Sequence, residues 1–235
     1  ADSNMKRIVL ECGGKSPVIV AADVKDLGPV LENVAAGILF CQGENCSAGS
    51  RLIVHESIKD RLLEEIKPVF RSWSVGDPLD PATRIGAMIE AEHLARVLSY
   101  IEAGRKEGAR VALGGNRVLA ETGGSFVEPT IFDGVSNTMK IAREEIFGPV
   151  LSVITFKDEA EAVRLANDTN YGLAASLYTD DLNTAHRVAK SIRAGTVSVN
   201  CYSEGDYAVP FGGYKESGLR GKDNGLAAHD QYTET

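Results

Sequence analysis

The stretch QGENCSAGSR, Gln42 to Arg51, sets a cysteine among small and polar residues directly after the apolar run VAAGILF. Cysteines inside apolar runs act as small hydrophobes. One on a small-residue turn has room for a substrate and reach of backbone N–H groups, which makes Cys46 a candidate nucleophile. A second stretch, LECGGKSP from Leu10 to Pro17, places Glu11 at the end of a β-rich run and immediately before Gly-Gly. A carboxylate there can be partly desolvated, which raises its pKa toward the range of a general base, while its plainer reading is a loop-capping glutamate. The two residues make chemical sense together, because a thiol that forms a thioester needs a base to activate the water that hydrolyses it. The four histidines, His55, His93, His186 and His229, accompany no nucleophile motif. Each reads as a surface or structural residue, which leads away from the cysteine proteases.

Two further stretches carry weaker signals. EEIFGPVL, Glu144 to Leu151, puts two acids ahead of a rigid Phe-Gly-Pro turn, and fixed acids at a strand entrance can hold sugar hydroxyls. VPFGGYKESG, Val209 to Gly218, carries an aromatic residue on a glycine turn that could close over a small substrate. Their plainer readings are a solvated acidic turn and an ordinary surface loop.

The elements that must position these residues follow from pattern. RIVLE, SPVIVAA, RLIVH, VLSVITF, LAASLYT and GTVSVN read as strands, interleaved with segments of helical period. That alternation predicts an α/β fold of three layers with a mainly parallel sheet. A helix is predicted from Ser57 to Trp73, with Pro68 imposing a kink or an early end, and another from about Glu90 to Lys106, stopped by Gly108. Asp158 with Glu161 resembles a capping box that opens a helix through Asn167. A last helix is expected from about Asp181 to Ile192.

Composition narrows the function classes. With 235 residues and 43% hydrophobic content the chain can bury a real core in one large or two small domains. A net charge of -8 without a basic stripe argues against nucleic acid or an anionic membrane as partner. No apolar run approaches the ~20 residues of a membrane span, and the N-terminal residues lack a signal-peptide pattern. Four cysteines without a C-x-x-C pair, and no histidine at ligand spacing, predict no metal site. Such sparse use fits a reducing compartment, the cytoplasm. Neither G-x-G-x-x-G nor a P-loop occurs, so the phosphate-holding half of a nucleotide site is not written in these residues.

LECGGKSP, FCQGENCSAGSR, EEIFGPV, TNYGLAAS and PFGGYKESG, in that order along the whole chain, resemble the aldehyde dehydrogenase superfamily. The resemblance implies Cys46 as catalytic nucleophile, Glu11 as general base, Glu145 on the nicotinamide ribose, Phe147 beside the nicotinamide and Phe211 near the aldehyde pocket. It implies NAD as coenzyme, with NADP as the alternative, and a small-molecule aldehyde oxidised to its acid. The oxyanion would be held by the Cys46 backbone N–H and by an asparagine that the family carries upstream. It also implies an aldehyde dehydrogenase catalytic-domain fold within a dimer or tetramer. Residues 1–13 would end a coenzyme-binding domain missing from this chain, 14–212 would form the catalytic domain, and 213–235 would lead toward the oligomerisation element. The fragment alone would then be inactive. Against the family pattern, the tail reads SGLRGKD instead of Ser-Gly-x-Gly-Arg. SEGD before PFGGYK resembles the aminoaldehyde and γ-glutamylaminobutyraldehyde dehydrogenases, with Glu204 and Asp206 placed to favour a substrate bearing a distal cation. The alternatives are a non-catalytic descendant of the fold and a coenzyme-independent thioesterase.

Overall fold

A computed structural model describes residues 8–202, 206–219, 221 and 223–233. In chain order the strands are β1 (Leu10–Glu11), β2 (Pro17–Val20), β3 (Arg51–His55), β4 (Arg110–Leu113), β5 (Arg117–Val118), β6 (Phe126–Val127), β7 (Thr130–Asp133), β8 (Val150–Phe156), β9 (Ala174–Tyr178), β10 (Thr196–Val199) and β11 (Gly218–Leu219). The helices are α1 (Gly28–Leu39), α2 (Glu56–Arg71), α3 (Ala91–Lys106), α4 (Lys140–Arg143), α5 (Glu159–Asn167), α6 (Leu182–Ser191) and α7 (His229–Tyr232).

Seven strands form one sheet in the order β10-β9-β2-β3-β8-β7-β4. Every pairing in it is parallel except that of the edge strand β4 with β7. Successive side chains of a strand face opposite sides, and the strands use both. Val18, Val20, Leu52, Val54, Leu151 and Val153 pack with residues of α1 and α2. Ile19, Ile53, Val150, Ile154 and Leu177 pack with residues of α3, α5 and α6. The result is the expected three-layer α/β architecture.

The helix expectations hold to within a residue or two at most ends. In α2, His55 caps the N-terminus by accepting the Ser57 N–H, and the helix closes one turn beyond Pro68, at Arg71. The α5 cap departs from the reciprocal box: Asp158 accepts the Glu161 N–H, while the Glu161 carboxylate takes the N–H of Lys157. Asp181 caps α6 through the Thr184 N–H. Only Leu10–Glu11 of the RIVLE run is a strand among the described residues, in a two-stranded pairing with β11.

The connections that enter the parallel strands meet at one end of the sheet. Lys15 and Ser16 precede β2, Cys46 to Ser50 precede β3, Glu145 to Pro149 precede β8, and Gly172 and Leu173 precede β9. All four are amino ends.

Candidate active site

The turn that carries Cys46 is built from strained backbone. Cys41, Gln42 and Gly43 lie at φ +49, +60 and +75, three consecutive left-handed residues of which only the glycine suits the region freely. Asn45 then organises the turn: its Oδ1 accepts the N–H and the hydroxyl of Ser47, both at 3.1 Å, and its Nδ2 donates to the Tyr202 hydroxyl at 3.2 Å. Cys46 is half-buried, whereas Cys41 is exposed.

Backbone contact joins this turn to the other motifs. A Cβ on Gly14 would stand 2.2 Å from the Cys46 carbonyl oxygen, and one on Gly43 would stand 2.3 Å from the Gly148 carbonyl group. Only glycine allows either approach. The Glu145 carboxylate lies on the same seam, its Oε1 accepting the Gly14 N–H at 2.9 Å. A Cβ on Gly13 would come within 2.1 Å of its Oε2. Gly14, Gly43, Asn45, Glu145, Phe147 and Gly148 line a common small cavity. The structure thus brings Cys46, Glu145 and Phe147 together around Gly13–Gly14.

Glu11 and Phe211 form a second group. Gly212 and Gly221 leave room for the Glu11 carboxylate, since a Cβ on either would stand 3.0 or 2.4 Å from its Oε1. Phe211, next to Gly212, is half-buried and donates its N–H to the Asp223 carbonyl at 2.5 Å. The expectation of a partly desolvated Glu11 is corrected: Glu11 is exposed, because β1 is a two-residue strand that, among the described residues, pairs with β11 alone. Glu204 lies outside the described residues. Asp206 is exposed and accepts the Ala208 N–H at 2.8 Å.

Electrostatics set the seam apart from the surface. Lys15 is 1% exposed, its Nζ has no hydrogen-bond partner among the described residues, and its pKa falls from 10.5 to about 7. Burial is the main cause; the Arg51 guanidinium adds to it and the Glu145 carboxylate opposes it. Arg51 is itself fully buried but well satisfied, donating to the carbonyls of Lys15, Leu165 and Ala166 and to Asn137 Oδ1. Burial raises the Glu145 carboxyl above its ordinary value, against the pull of the Gly14 N–H, Lys15 and Arg96.

Sequence reasoning passed over Lys15 and Asn45, and it left His93 as a surface or structural residue. Lys15 stood inside a quoted motif, and its burial had no local signal. His93 is not at the surface: its side chain is 11% exposed and its Nε2–H donates to the Phe147 carbonyl at 2.6 Å.

The residues present fit the nicotinamide-ribose end of a dinucleotide. Glu145 keeps acceptor capacity on a glycine floor, and Phe147 offers an aromatic ring beside it. Among the described residues, no group of His, Cys, Asp and Glu is arranged to hold a metal ion. None of the helices described is long and apolar enough to cross a membrane.

The model of the aldehyde dehydrogenase family matches residues 1–235. The chain is 54% identical over 234 residues to aminoacetaldehyde dehydrogenase of Pseudomonas aeruginosa, covering 100% of this chain and 46% of that protein. It is 48% identical over 233 residues to the NADP/NAD-dependent aldehyde dehydrogenase PuuC of Escherichia coli, covering 99% and 46%. Among solved structures, indole-3-acetaldehyde dehydrogenase in complex with NAD+ superposes with a TM-score of 0.97 at 55% identity, covering 99% of this chain and 47% of that one. The chain spans about half the length of the curated relatives it matches. With its whole length matched by the family model and its seam of motif loops in place, the chain belongs to the aldehyde dehydrogenase family.

Proposed function

We propose that this chain is the catalytic part of an NAD(P)-dependent aldehyde dehydrogenase, in which residues 1–13 end a coenzyme-binding domain, 14–212 form the catalytic domain and 213–235 lead to an oligomerisation element. The observation that carries the reading is the Gly13–Gly14 seam, where the Cys46 turn and the Glu145 carboxylate meet within contact of one backbone.

In this reading the Cys46 thiolate adds to the aldehyde carbon, forming a C–S bond and an oxyanion beside the Cys46 backbone N–H. Glu145 would hold the coenzyme by accepting hydrogen bonds from its ribose hydroxyls, and Phe147 would stand beside its nicotinamide. When bound, NAD or NADP accepts the hydride from the former aldehyde carbon, which becomes a thioester on Cys46. Glu11 then takes a proton from water, and the resulting hydroxide adds to the thioester carbon. The C–S bond breaks, the acid leaves and the thiolate is restored. Exposure of Glu11 leaves it open to water. Phe211, beside it, lines the aldehyde entrance. The name of the P. aeruginosa relative and the carboxylate of Asp206 support an aminoaldehyde as substrate. NAD is supported by the NAD+ complex of the structural neighbour, and NADP as well by the name of the E. coli relative. The family resemblance supports a homodimer or homotetramer, and the sparse use of cysteine supports a cytoplasmic location.

The test follows two reactions of the full-length enzyme: aldehyde oxidation with coenzyme and hydrolysis of p-nitrophenyl acetate without it. Cys46→Ala should abolish both. Aldehyde oxidation surviving in that variant would refute the proposal, and hydrolysis of p-nitrophenyl acetate with no aldehyde oxidation in the wild type would establish the hydrolase instead.

A further inference from the structure

Phe147 occupies φ +59, a left-handed conformation that a bulky L-residue keeps only under restraint. The restraint comes from three sides. Gly148, which follows it, meets Gly43 of the nucleophile turn, and a Cβ on Gly148 would stand 2.8 Å from Val97 of α3. From the first turn of the same helix, His93 donates Nε2–H to the Phe147 carbonyl at 2.6 Å and sets its ring edge-on to the Phe147 ring, centroids 6.0 Å apart. The same Nε2 is 3.5 Å from Glu44 Oε1, an oxygen that accepts the Ile89 N–H at 3.0 Å. Gln42 Oε1 accepts the Gly86 N–H at 3.3 Å. The entry to α3 therefore holds both loops, and His93 is the side chain that touches both.

We propose that His93 is a positioning residue that holds the Phe147 turn in its left-handed form against the Cys46 turn. The stronger of its two contacts is the one to Phe147, since Glu44 is held independently by the Ile89 N–H. Loss of the imidazole frees the 147 carbonyl and lets the aromatic ring leave its place, while the Cys46 turn keeps Asn45, Glu44 and Gly43. The inference rests on the reading above that Phe147 lies beside the nicotinamide.

The first test needs no coenzyme. Amide hydrogen exchange of segment 144–150 should quicken about tenfold in His93→Leu, the scale of one lost hydrogen bond, and return to within about threefold of wild type in His93→Gln, whose amide can still donate. Segment 43–48 should change less than twofold. In the full-length enzyme, His93→Leu should raise the coenzyme KM about tenfold and leave p-nitrophenyl acetate hydrolysis within twofold. Equal exchange in wild type and His93→Leu, equal behaviour of the Leu and Gln variants, or a matching fall in both activities would overturn the inference. Phe147→Leu separates it from the reading beneath: an unchanged coenzyme KM there removes that reading, whereas a raised KM there with none in His93→Leu removes only the role of His93. Should His93→Leu fail to fold, the pair His93→Gln and His93→Asn decides, because the shorter amide cannot reach and must show the faster exchange.

Discussion

Replacing Lys15 by Met should stabilise the chain, and by an amount that depends on pH. Lys15 is fully buried with an unpartnered Nζ, and its pKa drops from 10.5 to about 7 on folding. Between those values the unfolded chain binds one more proton than the native one at this group, so native stability rises with pH across the window. The cost of the lysine is largest below pH 7 and fades toward 10.5. At ~1.36 kcal/mol per pH unit, the fall from 10.5 to about 7 amounts to about 5 kcal/mol at pH 6 and, with part of the window crossed, about 2 kcal/mol at pH 9. Met has a similar shape and carries no charge, and apolar replacement of a buried ion is often stabilising. Urea unfolding of both proteins at pH 6 and pH 9 should therefore show the Met variant gaining about 3 kcal/mol more at the lower pH. A gain that is the same at both values, or a variant less stable than wild type at pH 6, would refute the reasoning. Either result would mean that the ammonium finds a partner or water that the burial excludes.

Three further outcomes follow from the site and one from the substrate loop. Cys46→Ala should abolish turnover of the full-length enzyme while Cys41→Ala should not, and a thioester trapped on Cys41 by mass spectrometry would overturn the assignment. Glu11→Gln should slow kcat by roughly 10²-fold, the scale of a lost general base, with the pre-steady-state burst of reduced coenzyme intact; loss of the burst would move Glu11 to thiol activation. Because burial raises the Glu145 carboxyl, it takes up its proton earlier on acidification than a solvated acid does. The coenzyme KM should climb toward low pH in the wild type and stay flat, from a higher start, in Glu145→Gln; parallel profiles would remove the carboxylate from the coenzyme site. Finally, Glu204→Gln with Asp206→Asn should cut the preference for 4-aminobutanal over butanal several-fold at low salt. That is the part left of ~2–3 kcal/mol per ion pair after screening, and an unchanged kcat/KM ratio would leave a general aldehyde dehydrogenase.

What the sequence displays depends on how local its cause is. α2, α3, α5 and α6 each have a polar face and caps written within a few residues, so period and Asp158 or Asp181 mark them. α1 escapes because it is covered on most sides. Val30, Leu31, Val34, Ala35, Ile38 and Leu39 are all buried, and Gly37 leaves space for the Tyr202 ring, so VAAGILF shows no polar stripe. β7 is fully buried and β4 is a short edge strand with a register shift, and neither alternates clearly. Cys46 and Glu145 are legible because they sit on glycine turns unlike ordinary surface loops. His93 is not, since its partner is a backbone carbonyl fifty-four positions along the chain, which has no side-chain signature. Lys15 looks like a solvated charge until the fold buries it beside Arg51, and Glu11 looks desolvated until β1, among the described residues, proves to pair with the two-residue strand β11 alone.

The placement of the site has a physical logic of its own. Open α/β sheets commonly bind ligands beyond the carboxyl ends of their strands, where helix N-termini gather. Here the motif loops gather at the amino ends instead, where they must hold one another by close backbone contact, braced by the entry to α3. That requirement selects glycine at Gly14 against the Cys46 carbonyl, at Gly43 against the Gly148 carbonyl, and at Gly212 against the Gly221 carbonyl oxygen 2.1 Å from its would-be Cβ. Each motif that could be read along the chain carries one of these glycines or abuts one. The candidate nucleophile, the acidic residues and the aromatic residues are thus carried on main chain packed against main chain, braced at Phe147 by His93. A methyl group at Gly14 must displace the Cys46 carbonyl or the Gly14 N–H that holds Glu145, and so disturb the Cys46 turn and the Glu145 carboxylate in one step.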